Sequence, residues 1–485
     1  MNSLIKNNAV CPACWSRDLS WDDESSSHCL SCGSSYPVRN NIWFAIVPDN
    51  SWKPILQDTI ALFMDFTYNR DAANALLGQK MQQSIEDYSE EHESIRDASF
   101  HDAWNCLSIK HDAHILEVGA GDLRVASDLC KKGYSIVALE PVPEFLERGK
   151  YDAGLPIAKV CSSASRLPFK SGTFDVVYSL ATLHHVDDIS SIVREMSRVL
   201  KPGGVLLAGV EPVSAIFRNI KRLRETTPEF SFDIGIHEQV PRFLSYVTAM
   251  KKAGISEIQA HAFPEACRLP QRLSRFKAIS ALLPQGRLNR GLKMYLRHCF
   301  THGDVSLVGN RSQKDISPPP PVTKDRFLFS PEDYIYRRDR QHLTGIWKTL
   351  LKKEEAPGAI IVGENDLDLL RRGFSRREYE GDGFPYKWLF AQGAFFLTVK
   401  PGHTGLTVTL TFPDETFSLE AFMDSESLPS LPAQQSDPRN GWKRVRWNLP
   451  EGMNHGVKEF LLRASRIREL NGMPVSVKIH SIRLD

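Results

Sequence analysis

The sequence predicts a chain of three folded parts: a small cysteine-pinned ribbon, a doubly wound α/β domain with a mostly parallel sheet, and a C-terminal antiparallel β-sandwich or jelly roll. Three observations carry this. Two Cys-x-x-Cys steps stand fourteen residues apart near the N-terminus. An apolar run, His114 to Val118, meets a Gly-Ala-Gly turn at Gly119 to Gly121 and then a helical pattern. Beyond Trp347 the apolar period changes to two, with Leu406, Val408, Leu410 and Phe412 alternating with threonines. A length of 485 residues suits about three domains. The expected boundaries are 1–50, 51–312, a proline-rich linker at 313–345 around the stiff Pro318–Pro321, and 346–485.

A net charge of +2 gives no overall bias toward nucleic acid. The N-terminus lacks the apolar core of a signal peptide and no apolar run approaches a membrane span, so a cytoplasmic protein is expected. Nine cysteines, four of them in the paired steps, read as a reducing compartment with one metal site.

Cys11, Cys14, Cys29 and Cys32 present two thiolates on each of two tight turns, the arrangement tetrahedral zinc requires. With all four positions filled by sulfur, the expected role is structural. A redox pair would not need the second step. With Ser35–Arg39 and Ile42–Phe44, the segment resembles the small ribbon related to the zinc-binding partner subunit of tRNA methyltransferases, which also occurs fused ahead of methyltransferase domains.

Strand, glycine turn and helix form the arrangement in which α/β domains receive nucleotide-like cofactors. Here the third glycine of the pyrophosphate fingerprint is absent, Leu123 and Arg124 standing there, and the strand carries an acid, Glu117, that would repel phosphate. A cofactor with a cationic end fits better, and S-adenosylmethionine is the candidate. Ser135–Leu139 is a second strand ending in Glu140, about twenty residues beyond the turn, where a carboxylate can take both ribose hydroxyls. A further strand runs from Asp175 to Leu180, followed by Leu183-His184-His185-Val186. A helix at Ile192–Leu200 stops at Lys201-Pro202-Gly203-Gly204, and another strand follows at Val205–Val210.

Together, Glu-Val-Gly-Ala-Gly, Ala-Leu-Glu-Pro, Leu-Pro-Phe with Phe-Asp-Val-Val, Leu-His-His-Val and Val-Leu-Lys-Pro-Gly-Gly resemble the class I S-adenosylmethionine-dependent methyltransferases, in particular the ubiquinone and menaquinone biosynthesis group. The resemblance implies a Rossmann-like, mostly parallel seven-stranded sheet. It implies that Glu117, Gly119, Ala120 and Gly121 face the methionine half, that Glu140 holds the ribose, and that Ser163 and Ala164 lie beside the adenine, with Leu180 also facing the cofactor. Two departures stand out: Ser163 replaces the usual aspartate and Ser165 a common glutamate.

Methyl transfer needs alignment above all, and an oxygen acceptor also needs a base. His184, beyond a strand's carboxyl end, is the first candidate; His185 has a structural alternative. His237 and Glu238 match a histidine–glutamate pair that related methyltransferases carry near the acceptor pocket, and read equally as a surface histidine with a helix-start acid. Residues 265–302 form a basic helical insert suited to an anionic membrane surface, a phosphate-bearing acceptor, or a plain lid. The C-terminal part, with Phe384–Trp388 and Gly441-Trp442-Lys443, resembles β-sandwich modules attached to bacterial glycosyltransferases and surface-polysaccharide enzymes. The expected acceptor is therefore a sugar, nucleotide sugar or lipid-linked glycan precursor in surface polysaccharide biosynthesis, met in the cytoplasm or at the inner face of a membrane. Nucleic acid is disfavoured as a partner. An RNA methyltransferase and a non-catalytic scaffold of the same fold are the alternatives.

Overall fold

The computed structural model describes residues 2–22, 25–61, 96–148, 151, 154–214, 239–261, 267–268, 302–336, 338–351, 356–362, 364, 372–375, 378–413, 416–430, 441–470 and 473–485. Two compact units emerge, one of residues 1–55, 90–218 and 239–331, the other of 56–89, 219–238 and 332–485. The boundary expected at residue 50 therefore falls inside a unit.

In the first unit, helix α1 (Ser3–Asn8) starts where the Asn2 side chain accepts the Leu4 N–H. Strands β1 (Leu19–Asp22), β2 (Ser26–Cys29) and β3 (Ser35–Arg39) form the expected antiparallel ribbon. β4 (Ile42–Phe44) then pairs antiparallel with β3 and parallel with β7 (Ala158–Cys161). All three β4 residues are buried, as a strand covered on both faces requires. Ribbon and α/β core thus share one sheet. Its order is β1-β2-β3-β4-β7-β6-β5-β8-β9-β12-β10, with the short β11 (Cys267–Arg268) beside β12. In it β5 is His114–Val118, β6 Ser135–Glu140, β8 Phe174–Leu180, β9 Leu200–Val213, β10 Ile255–His261 and β12 His302–Arg311. From β4 to β9 every neighbouring pair is parallel; β12 and β10 run antiparallel.

The strand order reverses at β5, with β6 on one side and β8 on the other, which opens a crevice at their carboxyl ends. α2 (Trp52–Ile60) follows β4, α3 (Arg124–Lys131) follows β5, and α4 (Pro143–Arg148) follows β6. α5 (Ile189–Val199) begins at Asp188, whose carboxylate accepts the Ser190 and Ser191 N–H groups, and it packs on α6 (Phe243–Lys252) through Val193, Met196, Val247 and Met250.

The proline run does not behave as a free spacer. Proline lacks the N–H but keeps its carbonyl, and those carbonyls tie the run to the rest of its own unit: Pro319 accepts the Trp15 indole N–H at 2.6 Å and Pro320 accepts Arg166 Nη1 at 2.9 Å. The Val322 N–H adds a bond to Ala13 at 2.9 Å.

The second unit is antiparallel. Its ten-stranded sheet centres on the 15-residue strand Pro385–Val399, which pairs with Lys478–Leu484 near Trp388 and with Gly456–Ala464 from Gln392 onward. Leu406, Val408 and Leu410 point inward as their period of two predicted, and share one core with Phe395, Phe460 and Ile482. Trp388 and Trp442, which belong to the two stretches that carry the β-sandwich resemblance, are both buried. Residues 265–302, the basic insert, lie outside the described residues apart from 267 and 268.

Candidate active site

The glycine turn takes its shape from backbone geometry only glycine tolerates well. Gly119 and Gly121 have φ of 74° and 50°. The N–H groups of Gly119 and Ala120 both bond the Leu139 carbonyl, at 2.8 and 3.0 Å, tying the turn to the end of β6. A Cβ on Gly119 would lie 2.3 Å from Thr182 Cγ2, so the missing side chain lets the loop after β8 close on the turn. Leu123, where a third glycine was missed, adopts the left-handed conformation itself (φ 70°) and buries its side chain.

Two buried carboxylates flank this turn. Glu140 accepts the Gly121 N–H through Oε2 and the Val142 N–H through Oε1, each at 3.0 Å. Desolvation raises its pKa to about 7, against the pull of those two bonds. Glu117 is 2% exposed, and its Oε2 has no hydrogen-bond partner among the described residues. Burial pushes it up to about 8; the Tyr178 hydroxyl opposes this and the Glu140 charge adds to it. An orphaned carboxylate oxygen of this kind fits a ligand bearing positive charge. The ammonium and sulfonium of S-adenosylmethionine meet that requirement; a pyrophosphate does not.

The loop after β8 is held by a residue that sequence reasoning passed over. Glu211 is fully buried near the end of β9. Its Oε1 accepts the Thr182 and Leu183 N–H groups at 3.0 and 2.9 Å, and its Oε2 accepts the His184 N–H at 3.2 Å and His184 Nδ1 at 2.9 Å. The Tyr246 hydroxyl donates to the same oxygen at 3.4 Å. Because a carboxylate only accepts, His184 carries its hydrogen on Nδ1. Strain accompanies this arrangement: Ala181 and Val210, immediately before Thr182 and Glu211, have φ of 47° and 52°, unusual for alanine and costly for a β-branched residue. An acid ending an apolar strand was the available signal for Glu211. Leu180, closing β8, is buried, and its carbonyl accepts the Thr182 hydroxyl at 2.9 Å. His237 and Glu238 lie outside the described residues.

At the end of β7 the structure gathers three serines. Ser51 Oγ lies 3.0 Å from Ser163 Oγ and 2.6 Å from Ser165 Oγ, and those two are 2.9 Å apart. Ser163 starts a short 3-10 turn, Ala164–Arg166, by accepting the Ser165 N–H. The Ser51 hydroxyl donates to Asp49 Oδ1 at 2.6 Å. Arg166 is buried: Nε donates to the Pro12 carbonyl at 2.9 Å, Nη2 to the Ala13 carbonyl at 3.3 Å, and its plane lies over the Trp15 ring at 4.8 Å. None of these partners was legible from the motif itself.

Pro12 and Ala13 sit between two of the cysteines. The sulfur atoms of Cys11, Cys14, Cys29 and Cys32 all lie within 4.8 Å of one another, with Cys11–Cys32 at 3.6 Å and Cys14–Cys29 at 3.5 Å. Tetrahedral zinc with ~2.3 Å bonds to sulfur would space its ligands by roughly 3.8 Å. Burial pushes the Cys11 thiol above its ordinary range and the Cys14 thiol up to about 11, a cost that a thiolate-bound cation removes.

Over its α/β part the chain is similar to known proteins. A methyltransferase-domain family matches residues 116–208. The chain is 30% identical over 174 residues to demethylmenaquinone methyltransferase of Mycobacterium marinum, covering 35% of this chain and 69% of that protein. It is 29% identical over 103 residues to a sterol 4-C-methyltransferase of Caenorhabditis elegans, covering 20% of this chain and only 31% of that relative. Among solved structures, phosphoethanolamine N-methyltransferase 2 of Haemonchus contortus, with S-adenosyl-L-methionine, is 16% identical over 42% of this chain and 50% of its own, at a TM-score of 0.31.

Proposed function

Because the chain belongs to the S-adenosylmethionine-dependent methyltransferase family that includes demethylmenaquinone methyltransferase, we propose that it methylates a hydroxyl of a sugar, glycan or glycolipid precursor. The cofactor, when bound, supplies an already activated methyl group. Glu117 offers its orphaned oxygen to the cationic methionine end, Glu140 offers its remaining lone pairs to the ribose hydroxyls, and Gly119 to Gly121 keep the backbone close. His184 takes the acceptor's hydroxyl proton at Nε2 as the new C–O bond forms, and Glu211 beside Nδ1 balances the resulting imidazolium charge. With the cofactor held by Glu117, Glu140 and the glycine turn, the methyl carbon would pass from sulfur to the oxygen that His184 deprotonates, the S–C electron pair staying on a neutral sulfide. Cys11, Cys14, Cys29 and Cys32 hold structural zinc.

The observation that carries the acceptor class is a cleft of about 540 Å3 in the second unit. Its lining combines Glu380, Asp382, Phe384, Trp388, Arg468 and Lys478. The Trp388 indole nitrogen is buried and has no hydrogen-bond partner among the described residues, so a donor waits there for a ligand oxygen. Carboxylates, cations and aromatic edges in one polar cleft match the hydroxyl-rich, partly anionic surface of a saccharide precursor. Among the described residues no helix is long and apolar enough to cross a membrane; a lipid-linked acceptor would be met at the membrane surface.

Labelled S-adenosylmethionine incubated with nucleotide sugars, lipid-linked glycans, quinol precursors and ribosomal RNA tests the reading. Label on a sugar hydroxyl supports it. Label on RNA, or on a quinol ring alone, overturns it.

A further inference from the structure

The motif position beside the adenine lacks its acid, yet the structure supplies one from elsewhere. β4 and β7 run parallel with Phe44 opposite Cys161, so the chain leaves both strands at the same end of the sheet. Residues 45–51 consequently travel alongside residues 162–166, and the Ser162 hydroxyl donates to the Ala45 carbonyl at 2.8 Å. This brings Ser51 onto Ser163 and Ser165, and Asp49 onto Ser51.

We propose that Asp49 and Ser51, on the segment that follows the ribbon, complete the adenine end of the cofactor site in place of the acid missing at Ser163. The inference rests on the cofactor reading above and goes beyond it. Its physical basis is hydrogen-bond direction. A carboxylate accepts only, so the Ser51 proton points to Asp49 Oδ1. Ser51 Oγ then accepts from its neighbours, and the single protons of Ser163 and Ser165 are spent within the cluster. Lone pairs on Ser163 and Ser165 are left for an outside donor, and the exocyclic amino group of adenine is one. The Asp49 charge polarises the chain of hydroxyls and strengthens that bond. Asp49 is itself held at one end of this cluster: Oδ1 also accepts the Ser51 N–H at 2.9 Å, and Arg166 Nη1 stands 3.9 Å from Oδ2. A donor-only amino group satisfies the cluster. A carbonyl oxygen at the same place, as in hypoxanthine, meets lone pairs and is repelled.

The test is calorimetric titration of the full chain with S-adenosylhomocysteine and with S-inosylhomocysteine, which carries an oxo group in place of the amino group and, with it, a hydrogen on N1. The Asp49 and Ser51 variants separate the effect of the amino group from that of N1. The parent should prefer the adenine ligand by at least about 10-fold. Asp49→Asn keeps the shape and removes the charge. It should weaken the adenine ligand by about 10-fold and leave the inosine ligand within about twofold, so that the preference disappears. Ser51→Ala should act in the same direction, which guards against a folding defect peculiar to position 49. Thermal melting of each variant reports on fold, and a purely structural role would weaken both ligands together. Equal weakening of both, or full preference retained in both variants, overturns the proposal while S-adenosylhomocysteine binding by the parent keeps the cofactor reading intact. A parent that binds neither ligand overturns the cofactor reading and this proposal with it.

Discussion

One carboxylate oxygen of Glu211 accepts from His184 Nδ1 at 2.9 Å while the other caps the Thr182 and Leu183 N–H groups. The same side chain therefore builds the loop and orients the imidazole, and the two roles separate by substitution. His184→Ala should lower kcat by about 10²–10⁴ with cofactor affinity unchanged. Glu211→Ala leaves buried donors unpaired and should cost at least about 3 kcal/mol of stability. Turnover, calorimetry and chemical denaturation distinguish them; full activity in His184→Ala would remove it as the base.

The pair Glu117 and Glu140 makes cofactor binding depend on pH. Both carboxyls titrate near 4.5 when free and are raised in the folded chain to about 8 and about 7. Raised acids favour the folded state fully below 4.5, and their contribution is lost as pH climbs through 7 and 8. The cationic cofactor reverses this locally by stabilising the ionised forms. Affinity for S-adenosylmethionine should rise from pH 6 to 8, with protons released on binding near pH 7. Calorimetry in buffers of different ionisation enthalpy measures that release. Proton uptake would contradict the assignment.

Glycine substitutions give a contrast of sign. Gly119→Ala forces a Cβ against Thr182 at a φ of 74°, and should abolish cofactor binding at a stability cost of about 1–3 kcal/mol. Gly345→Ala, in the helix Arg340–Leu350 with open space around it, should stabilise the second unit by about 0.5–1 kcal/mol. Melting curves of both variants decide the matter.

Metal removal should reach the cofactor site. Protein purified without added zinc should carry about one ion per chain. Arg166 bonds the carbonyls of Pro12 and Ala13, inside the first cysteine knuckle, and is also the last residue of the turn that Ser163 starts and that contains Ser165. Chelation, or Cys14→Ser, should lower the melting temperature and weaken S-adenosylhomocysteine by about 5-fold or more. Unchanged melting after zinc loss would show that the knuckle stands without its ion.

What was legible in the sequence was local. Glu117, Gly119, Gly121 and Glu140 lie on one strand–turn–helix–strand unit, and the cysteines announce themselves by spacing. His184 could be nominated from its place after β8, but Glu211 lies 27 residues on. Asp49, Ser51 and Arg166 were silent because their partners lie 112 to 154 residues away. Composition marked the ribbon and the proline run as separable pieces; hydrogen bonding joined them, since β4 extends the core sheet and the proline carbonyls accept from Trp15 and Arg166.

The bond from Trp15 to Pro319 spans 304 residues, which sets a timetable for biosynthesis. The ribbon leaves the ribosome well before the proline run that seats it. At about 5–20 residues per second, the Trp15 ring waits roughly 15 to 60 s for the proline run that receives its N–H. During that interval Arg166 can already bond the Pro12 and Ala13 carbonyls, but the Trp15 indole N–H has no Pro319 carbonyl to meet. Contacts of such long sequence separation form late and slowly. A chain ending at residue 312, where composition suggests a natural stop, would remain in that unfinished state, with the Trp15 indole and one arm of Arg166 left for chaperones to cover.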